Sequence, residues 1–189
     1  MDMVALEGGF ADTPREAAVA FRACLSALAR PGRIETVAGA APPAPVSPAA
    51  GAVLLTLVDG STPVHLAGAH DVPEVRDWIT FHTGAPLVGA ADAVFALGAW
   101  DALQPLDRFA RGLPDYPDRS ATLIVEMPAL TSEGARLTGP GIETEAFLSL
   151  PEVAAFLANQ AQFPQGLDFF LAAGDRLAGL PRTTRVEDV

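Results

Sequence analysis

Residues Phe163 to Arg185, FPQGLDFFLAAGDRLAGLPRTTR, carry the pattern from which the rest of the chain can be ordered. Leu167, Phe169 and Leu171 alternate with Asp168, Phe170 and Ala172, and Gly174-Asp175 follows where a tight turn is needed. Leu177 to Leu180 resumes the apolar run, and Pro181 stops it. A period-two run, a Gly-X pair and a second short run predict a β-hairpin, with glycine supplying the positive φ of the turn. Beyond it, Arg182-Thr183-Thr184-Arg185 makes a small basic patch on an otherwise acidic protein.

Upstream of the hairpin, Ser149-Leu150-Pro151-Glu152 has the marks of a helix start: a polar cap, a proline whose missing N–H costs nothing there, and a carboxylate. Val153, Phe156 and Leu157 then point inward, and Asn159 with Phe163-Pro164 closes the helix. Thr13-Pro14-Arg15-Glu16 and Asp71-Val72-Pro73-Glu74 repeat the same logic. In the first of these helices Phe21, Cys24, Leu25 and Leu28 form one apolar stripe, ended by Arg30-Pro31-Gly32. In the second, Val75, Trp78, Ile79 and His82 share a face that Thr83-Gly84-Ala85-Pro86 breaks.

Between the helices lie strand patterns at Arg33 to Ala38, Pro63 to Leu66, Ala93 to Gly98 and Ser120 to Glu126. Val53 to Val58, VLLTLV, is a continuous apolar run and suits a strand buried on both faces. Ala135 to Thr138 is expected to pair beside the Ser120–Glu126 strand. Ala38 to Ala52, rich in Pro and Ala and without periodicity, reads as an exposed loop, mobile or extended. Asp101 to Arg111 reads as a helix with Leu103, Leu106 and Phe109 inward, and Pro105 either in its first turn or at a break. Interleaved strands and helices predict an α/β fold with a mixed sheet, antiparallel at the hairpin and parallel at the crossovers.

At 189 residues, half of them apolar, the chain suits one domain over residues 1–189 with a sizeable core. No apolar run approaches the ~18 residues of a membrane span. The N-terminus, MDMVALEGGFAD, is too acidic and too poor in hydrophobic length for a signal peptide. One cysteine, Cys24, excludes an internal disulfide and fits a reducing, cytoplasmic setting. Lying in an apolar stripe, Cys24 reads as a small core residue and not a nucleophile.

Net charge is −11, which argues against nucleic acid as a partner. All twelve basic residues are arginine, so lysine chemistry is excluded outright. There can be no Schiff base to pyridoxal phosphate or to a carbonyl substrate, and no G-x-x-x-x-G-K-[ST] phosphate loop. His65, His70 and His82 lack metal-ligand spacing, and no cysteine pair accompanies them, so no metal is expected. His82, in FHTGAP at a helix end, reads as a cation at a helix C-terminus or a partner of a backbone carbonyl.

No nucleophile elbow, H-E-x-x-H or nucleophile–base pair is present, so no catalytic residue is assigned. The arginines are the stronger candidates for function. Arg30 and Arg33 flank a Pro-Gly turn, Arg119 precedes a strand, and Arg182 and Arg185 follow the hairpin. Brought together, they could grip a phosphate or phosphonate bidentately. Left apart, they are solubilising charges or partner contacts. Gly139-Pro140-Gly141 could offer backbone N–H groups to an anion, although any strand exit has similar glycines.

Taken together, these stretches resemble the PhnH family of carbon–phosphorus lyase subunits. The resemblance runs through Gly9-Phe10 with Asp12, Phe21-Arg22, Arg30-Pro31-Gly32, Phe81-His82-Thr83-Gly84-Ala85-Pro86 and Arg119-Ser120-Ala121-Thr122-Leu123. It continues in Gly139-Pro140-Gly141-Ile142, Phe163-Pro164, Gly166, Asp168 and Leu180-Pro181-Arg182-Thr183-Thr184-Arg185. The chain departs from the family pattern at Ala17-Ala18, where a Ser-Gln pair is expected, and at Thr13, where proline is.

The resemblance implies a three-layer α-β-α fold like that of the pyridoxal-phosphate-dependent transferases, without the cofactor. It implies PhnG, PhnI and PhnJ type partners in a core complex, and a homodimer in isolation. It also implies an accessory role in forming ribose 1-phosphonate 5-triphosphate from ATP and phosphonate, with catalytic residues on the partners. A single thiol cannot supply the three or four thiolates of an iron–sulfur cluster. A different reading makes the chain a small enzyme or binding domain with an anion pocket built from Arg30, Arg119 and Arg182.

Overall fold

The computed structural model describes residues 7–188. Met1 to Leu6, half of the stretch read as unlike a signal peptide, lies outside the described residues. Five helices and nine strands are described: α1 (Thr13–Ala29), β1 (Ile34–Thr36), α2 (Pro48–Leu57), β2 (Val64–Leu66), α3 (Pro73–Thr83), β3 (Phe95–Ala99) and α4 (Trp100–Leu103) come first. They are followed by β4 (Thr122–Glu126), β5 (Ala135–Thr138), β6 (Ala146–Leu148), α5 (Val153–Gln160), β7 (Asp168–Ala173), β8 (Arg176–Leu180) and β9 (Arg185–Glu187).

The hairpin forms as the alternation predicts. β7 and β8 pair antiparallel from Phe169↔Leu180 to Ala173↔Arg176, leaving Gly174-Asp175 as the two-residue turn, with Gly174 at φ +60°. The hairpin is set inside a six-stranded mixed sheet of order β1-β8-β7-β4-β3-β2. β2, β3, β4 and β7 run parallel, while β8 and β1 each reverse on their neighbour. Alternation along β7 then assigns side chains to two cores. Phe170 and Ala172 pack with α1, α2 and α3, and Phe169 and Leu171 pack with α4, α5 and a second sheet.

Val53 to Val58 is not a strand. Pro48–Leu57 is helical, and six of its residues, Ala49 to Leu54, are buried. A helix enclosed on nearly every side loses its polar face, so its sequence shows no 3.6-residue period and resembles a central strand. The signal that identifies it is Ser47-Pro48: the Ser47 hydroxyl accepts from the Ala50 N–H at 3.2 Å, and proline occupies the first helical position. The stretch read as an exposed loop therefore ends at Ser47, and Ala40 and Val46 within it are buried.

The three cap signals read from sequence do locate helices, but not through hydroxyl caps. Thr13 donates to the Phe10 carbonyl, while Glu16 reaches back to the Asp12 N–H at 3.2 Å. Ser149 instead accepts from the Thr131 N–H at 3.0 Å, outside α5.

α1 also turns a different face inward from the one its large residues suggest. Ala20, Cys24 and Ala27 are buried, whereas Phe21 is 50% and Leu25 57% exposed. β8 dictates this. A Cβ on Gly179 would stand 2.6 Å from the Ala27 carbonyl carbon, so only small residues fit where the helix backbone meets the strand.

Pro105 resolves as a break. α4 stops at Leu103, Gln104 is extended ahead of the proline, and a separate 3₁₀ turn covers Leu106–Arg108. Of the inward residues, Leu103 and Phe109 are buried, but Leu106 is only partly so. β5 does not pair beside β4. It is the middle strand of a three-stranded sheet, β6-β5-β9, that packs on the Phe169 side of the main sheet. Leu157 of α5 is exposed as well, leaving Phe156 as the side chain that helix buries most fully.

Candidate functional site

The chain from the end of β8 into β9 passes the C-terminal end of α5 and the loop after β5. Between them lies an open groove of about 560 Å³, lined by Gly139, Pro140, Gln160, Phe163, Arg182, Thr183 and Arg185. Three of the residues singled out in the sequence, Gly139, Arg182 and Arg185, thus share one site. Gly139 at φ +123° lets the chain leave β5 close to the Thr183 carbonyl. Gln160 accepts from the Val186 N–H at 2.8 Å and so fixes β9 against α5.

Two arginines in the groove do different work. Arg182 is half-buried and its guanidinium is engaged: Nε lies 3.1 Å from Asp168 Oδ1, Nη2 pairs with Asp168 Oδ2, and Nη1 donates to the Pro117 carbonyl. Its backbone N–H also reaches Asp168 Oδ1, at 2.8 Å. The planar fork matches the carboxylate edge to edge, which neutralises the cation and fixes its plane. Arg185 is exposed and makes no ion pair among the described residues. Arg185 is thus the available charge of the groove. Phe163 at its rim is 60% exposed.

Arg119 lies on the adjoining loop, Gly112 to Arg119, with its guanidinium 4.1 Å from the centre of the Tyr116 ring. Leu113 and Tyr116 bond each other's backbones at 3.0 Å in both directions, presenting two exposed apolar side chains at the tip. The loop is held from below by Arg182 at Pro117 and by Gln165, whose amide donates to the Gly112 carbonyl at 3.0 Å. Arg119 does not line the groove, but its loop is tied to Arg182.

Arg30 and Gly141 do not line the groove, although Gly141 is only two residues from Gly139. Gly141 passes so close to the end of α1 that a Cβ there would lie 1.9 Å from the Ala29 carbonyl oxygen, and Arg30 is the exposed residue that ends that helix. His82 lies in the last turn of α3. Its ring sits 5.1 Å from Trp78 and 5.0 Å from Phe81, and Gly9 abuts it where a Cβ would be 2.6 Å from Cε1. These contacts give His82 an aromatic packing role in this fold. Of Arg30, Arg119 and Arg182, Arg182 alone lines this groove.

Asp168 as the partner of Arg182, Phe163 as an exposed rim and Tyr116 as the support of Arg119 were not visible as site residues in the sequence. The only early sign was Asp168 itself, a carboxylate set in an otherwise apolar strand pattern. Elsewhere, Glu126 at the end of β4 accepts from the Ser47 N–H at 2.7 Å, and burial pushes its carboxyl above the usual range. His70 is buried, which lowers its pKa, and neither ring nitrogen has a partner among the described residues. Among the described residues, no three of His, Cys, Asp and Glu gather as metal ligands. No described helix is long and apolar enough to cross a membrane.

Comparison with known proteins bears on what such a groove serves. The family described as "Bacterial phosphonate metabolism protein (PhnH)" matches residues 8–187. A Rhizobium meliloti (strain 1021) protein named alpha-D-ribose 1-methylphosphonate 5-triphosphate synthase subunit PhnH is 44% identical, over 95% of this chain and 94% of its own. A Stutzerimonas stutzeri protein, named as the putative C-P lyase subunit protein HtxG, is 31% identical over 95% of both chains. The groove, its Arg182–Asp168 pair and the aromatic loop beside it all fall within the matched span, and the chain belongs to the PhnH family of bacterial phosphonate metabolism proteins.

Proposed function

We propose that this chain is a PhnH-type accessory subunit of a carbon–phosphorus lyase assembly in organic phosphonate catabolism. In this reading it supports formation of α-D-ribose 1-methylphosphonate 5-triphosphate from ATP and phosphonate without a complete active site of its own. The observation that carries it is the 44% identity to a protein named as that synthase's subunit, sustained over nearly the full length of both chains. The site chemistry is compatible. The best-positioned cation, Arg182, is already neutralised by Asp168, and no nucleophile stands beside a base in the groove.

The chain acts as one PhnH-like domain with PhnG, PhnI and PhnJ type subunits as its partners, and it self-associates as a homodimer when isolated. Its fold is a cofactor-free relative of the pyridoxal-phosphate-dependent transferases, in keeping with the absence of lysine. It works in the cytoplasm, which suits its single, buried thiol. The test is turnover. The purified chain with ATP and methylphosphonate releases no adenine, and the assembled complex loses turnover when this chain is omitted. Adenine release by the chain alone overturns the reading.

A second reading rests on Arg185. A guanidinium with no ion pair among the described residues and an exposed phenyl ring, lining one groove of about 560 Å³, have the size and polarity of a site for a small anionic ligand. Calorimetry with methylphosphonate and with ATP separates the two. Saturable binding that Arg185→Ala abolishes supports a ligand site, and no heat with either leaves the groove to partners.

A further inference from the structure

α1 presents a second surface, remote in sequence from the groove. Its inward face is made of small residues, so the large ones are left outside. Ala18, Phe21, Leu25 and Leu28 follow one another at intervals of three, four and three, the spacing of a helix-pairing seam. Ala18, Phe21 and Leu25 are exposed, and Leu28 is partly so. One long side of this seam is closed by the chain's own core, where Cys24 is buried and α1 packs on β8 and α2. The other side carries Arg15 and Arg22, one heptad apart, and Arg30 ends the helix. All three are exposed, and none makes an ion pair among the described residues.

A convex apolar stripe edged by arginine selects its occupant. The complementary shape is another helix, because the Phe21, Leu25 and Leu28 stripe is a ridge, and the cavity beside α1 that Arg15, Glu16 and Val19 line does not include it. The complementary charge is acidic, and it must be gathered along one edge of that helix. This chain as a whole is strongly acidic and would repel such a partner over most of its surface. A second copy of the chain is the wrong occupant. Antiparallel pairing of α1 with itself across a twofold axis, Phe21 opposite Leu25, brings the two Arg22 side chains together and sets Arg15 of one copy near Arg30 of the other.

We propose that the outward face of α1 seats an acid-edged amphipathic helix of a neighbouring subunit in the assembly, an inference that rests on reading the chain as a complex subunit.

The test uses the full chain co-expressed with the other subunits of the complex. Leu25 is replaced by photoreactive p-benzoylphenylalanine, the purified complex is irradiated, and cross-linked peptides are sequenced by mass spectrometry. The expected product joins position 25 to a helix of another subunit whose apolar positions are flanked by Asp or Glu. Adding Arg15→Glu and Arg22→Glu lowers the cross-link yield at least tenfold while Tm stays within the spread of repeats. A cross-link to a second copy of this chain, to a basic or uncharged segment, or none at all in a complex that still contains the chain, overturns the inference and leaves the subunit reading intact. A chain that never co-purifies with those subunits brings down the subunit reading itself, and this inference with it.

Discussion

The Arg182 guanidinium lies edge to edge against the Asp168 carboxylate and, from its far side, donates to the Pro117 carbonyl. One side chain thereby joins the first residue of β7, the end of β8 and the loop that carries Leu113, Tyr116 and Arg119. The pair is only partly solvated, at 13% and 22% side-chain exposure, so its charges are less screened than those of a surface pair. It organises the groove and is not its spare charge.

Arg182→Ala therefore strands the Asp168 carboxylate and releases the loop. The expected loss is about 2 kcal/mol, within the range for hydrogen bonds to charged groups, which is a fall of roughly 4–8 °C in Tm for a domain of this size. Arg182→Lys keeps the charge but not the fork and falls between the two. Differential scanning fluorimetry reads both, and a variant as stable as the parent contradicts the latch.

Cys24 is buried on the inner face of α1, with its thiol pKa pushed up to about 12 by burial. It is expected to resist thiol reagents at pH 8 in the native chain and to react at once in denaturant. Because the folded value lies above the ordinary thiol value of 9.0, its stabilising contribution is complete below pH 9 and is lost as pH climbs towards 12. Urea titrations of parent and Cys24→Ala at pH 8 and pH 10.5 isolate it: the parent loses more stability than the variant.

Glu126 has the same sign and a different role. Burial raises its carboxyl, so the stability it contributes is greatest at acid pH and declines as pH rises through the folded value. Glu126→Gln keeps an acceptor for the Ser47 N–H without the buried charge. Relative to the parent, the variant gains stability between pH 4 and pH 7. Ser47→Ala, which removes the cap of α2, costs about 1 kcal/mol. Equal pH slopes for parent and Glu126→Gln would count against a buried, raised carboxyl.

Two glycines of the hairpin separate backbone strain from steric contact. Gly174 has open space around its α-carbon but a φ of +60°, so Gly174→Ala costs about 1 kcal/mol of left-handed strain. Gly179→Ala drives a methyl group into the Ala27–Leu28 backbone at 2.6–2.7 Å, and overpacking of that kind costs about 1–3 kcal/mol. Chemical denaturation ranks the pair, and the expected order is Gly179→Ala the worse.

Local chemistry made much of this legible in advance. The hairpin announced itself because each residue of β7 faces one of two cores, and Gly174 sits where only a positive φ closes the turn. The absence of lysine and the single thiol likewise needed no coordinates to exclude Schiff-base and cluster chemistry. α2 was hidden by the physics that buries it, since a helix apolar all round has no periodicity to read. Leu25 and Ala27 exchanged places because the spacing of a helix does not say which side a strand will approach, and β8 came close enough to admit only alanine.

The amino-acid order alone settled the local pairing of residues 168–180, the mixed α/β class and the family, because these depend on neighbours along the chain. Only the folded chain decided which arginine of the groove is left without an ion pair among the described residues. Arg182 and Arg185 are the same letter, but Asp168 and Pro117 meet the first and not the second, and that distinction exists only where distant segments come together.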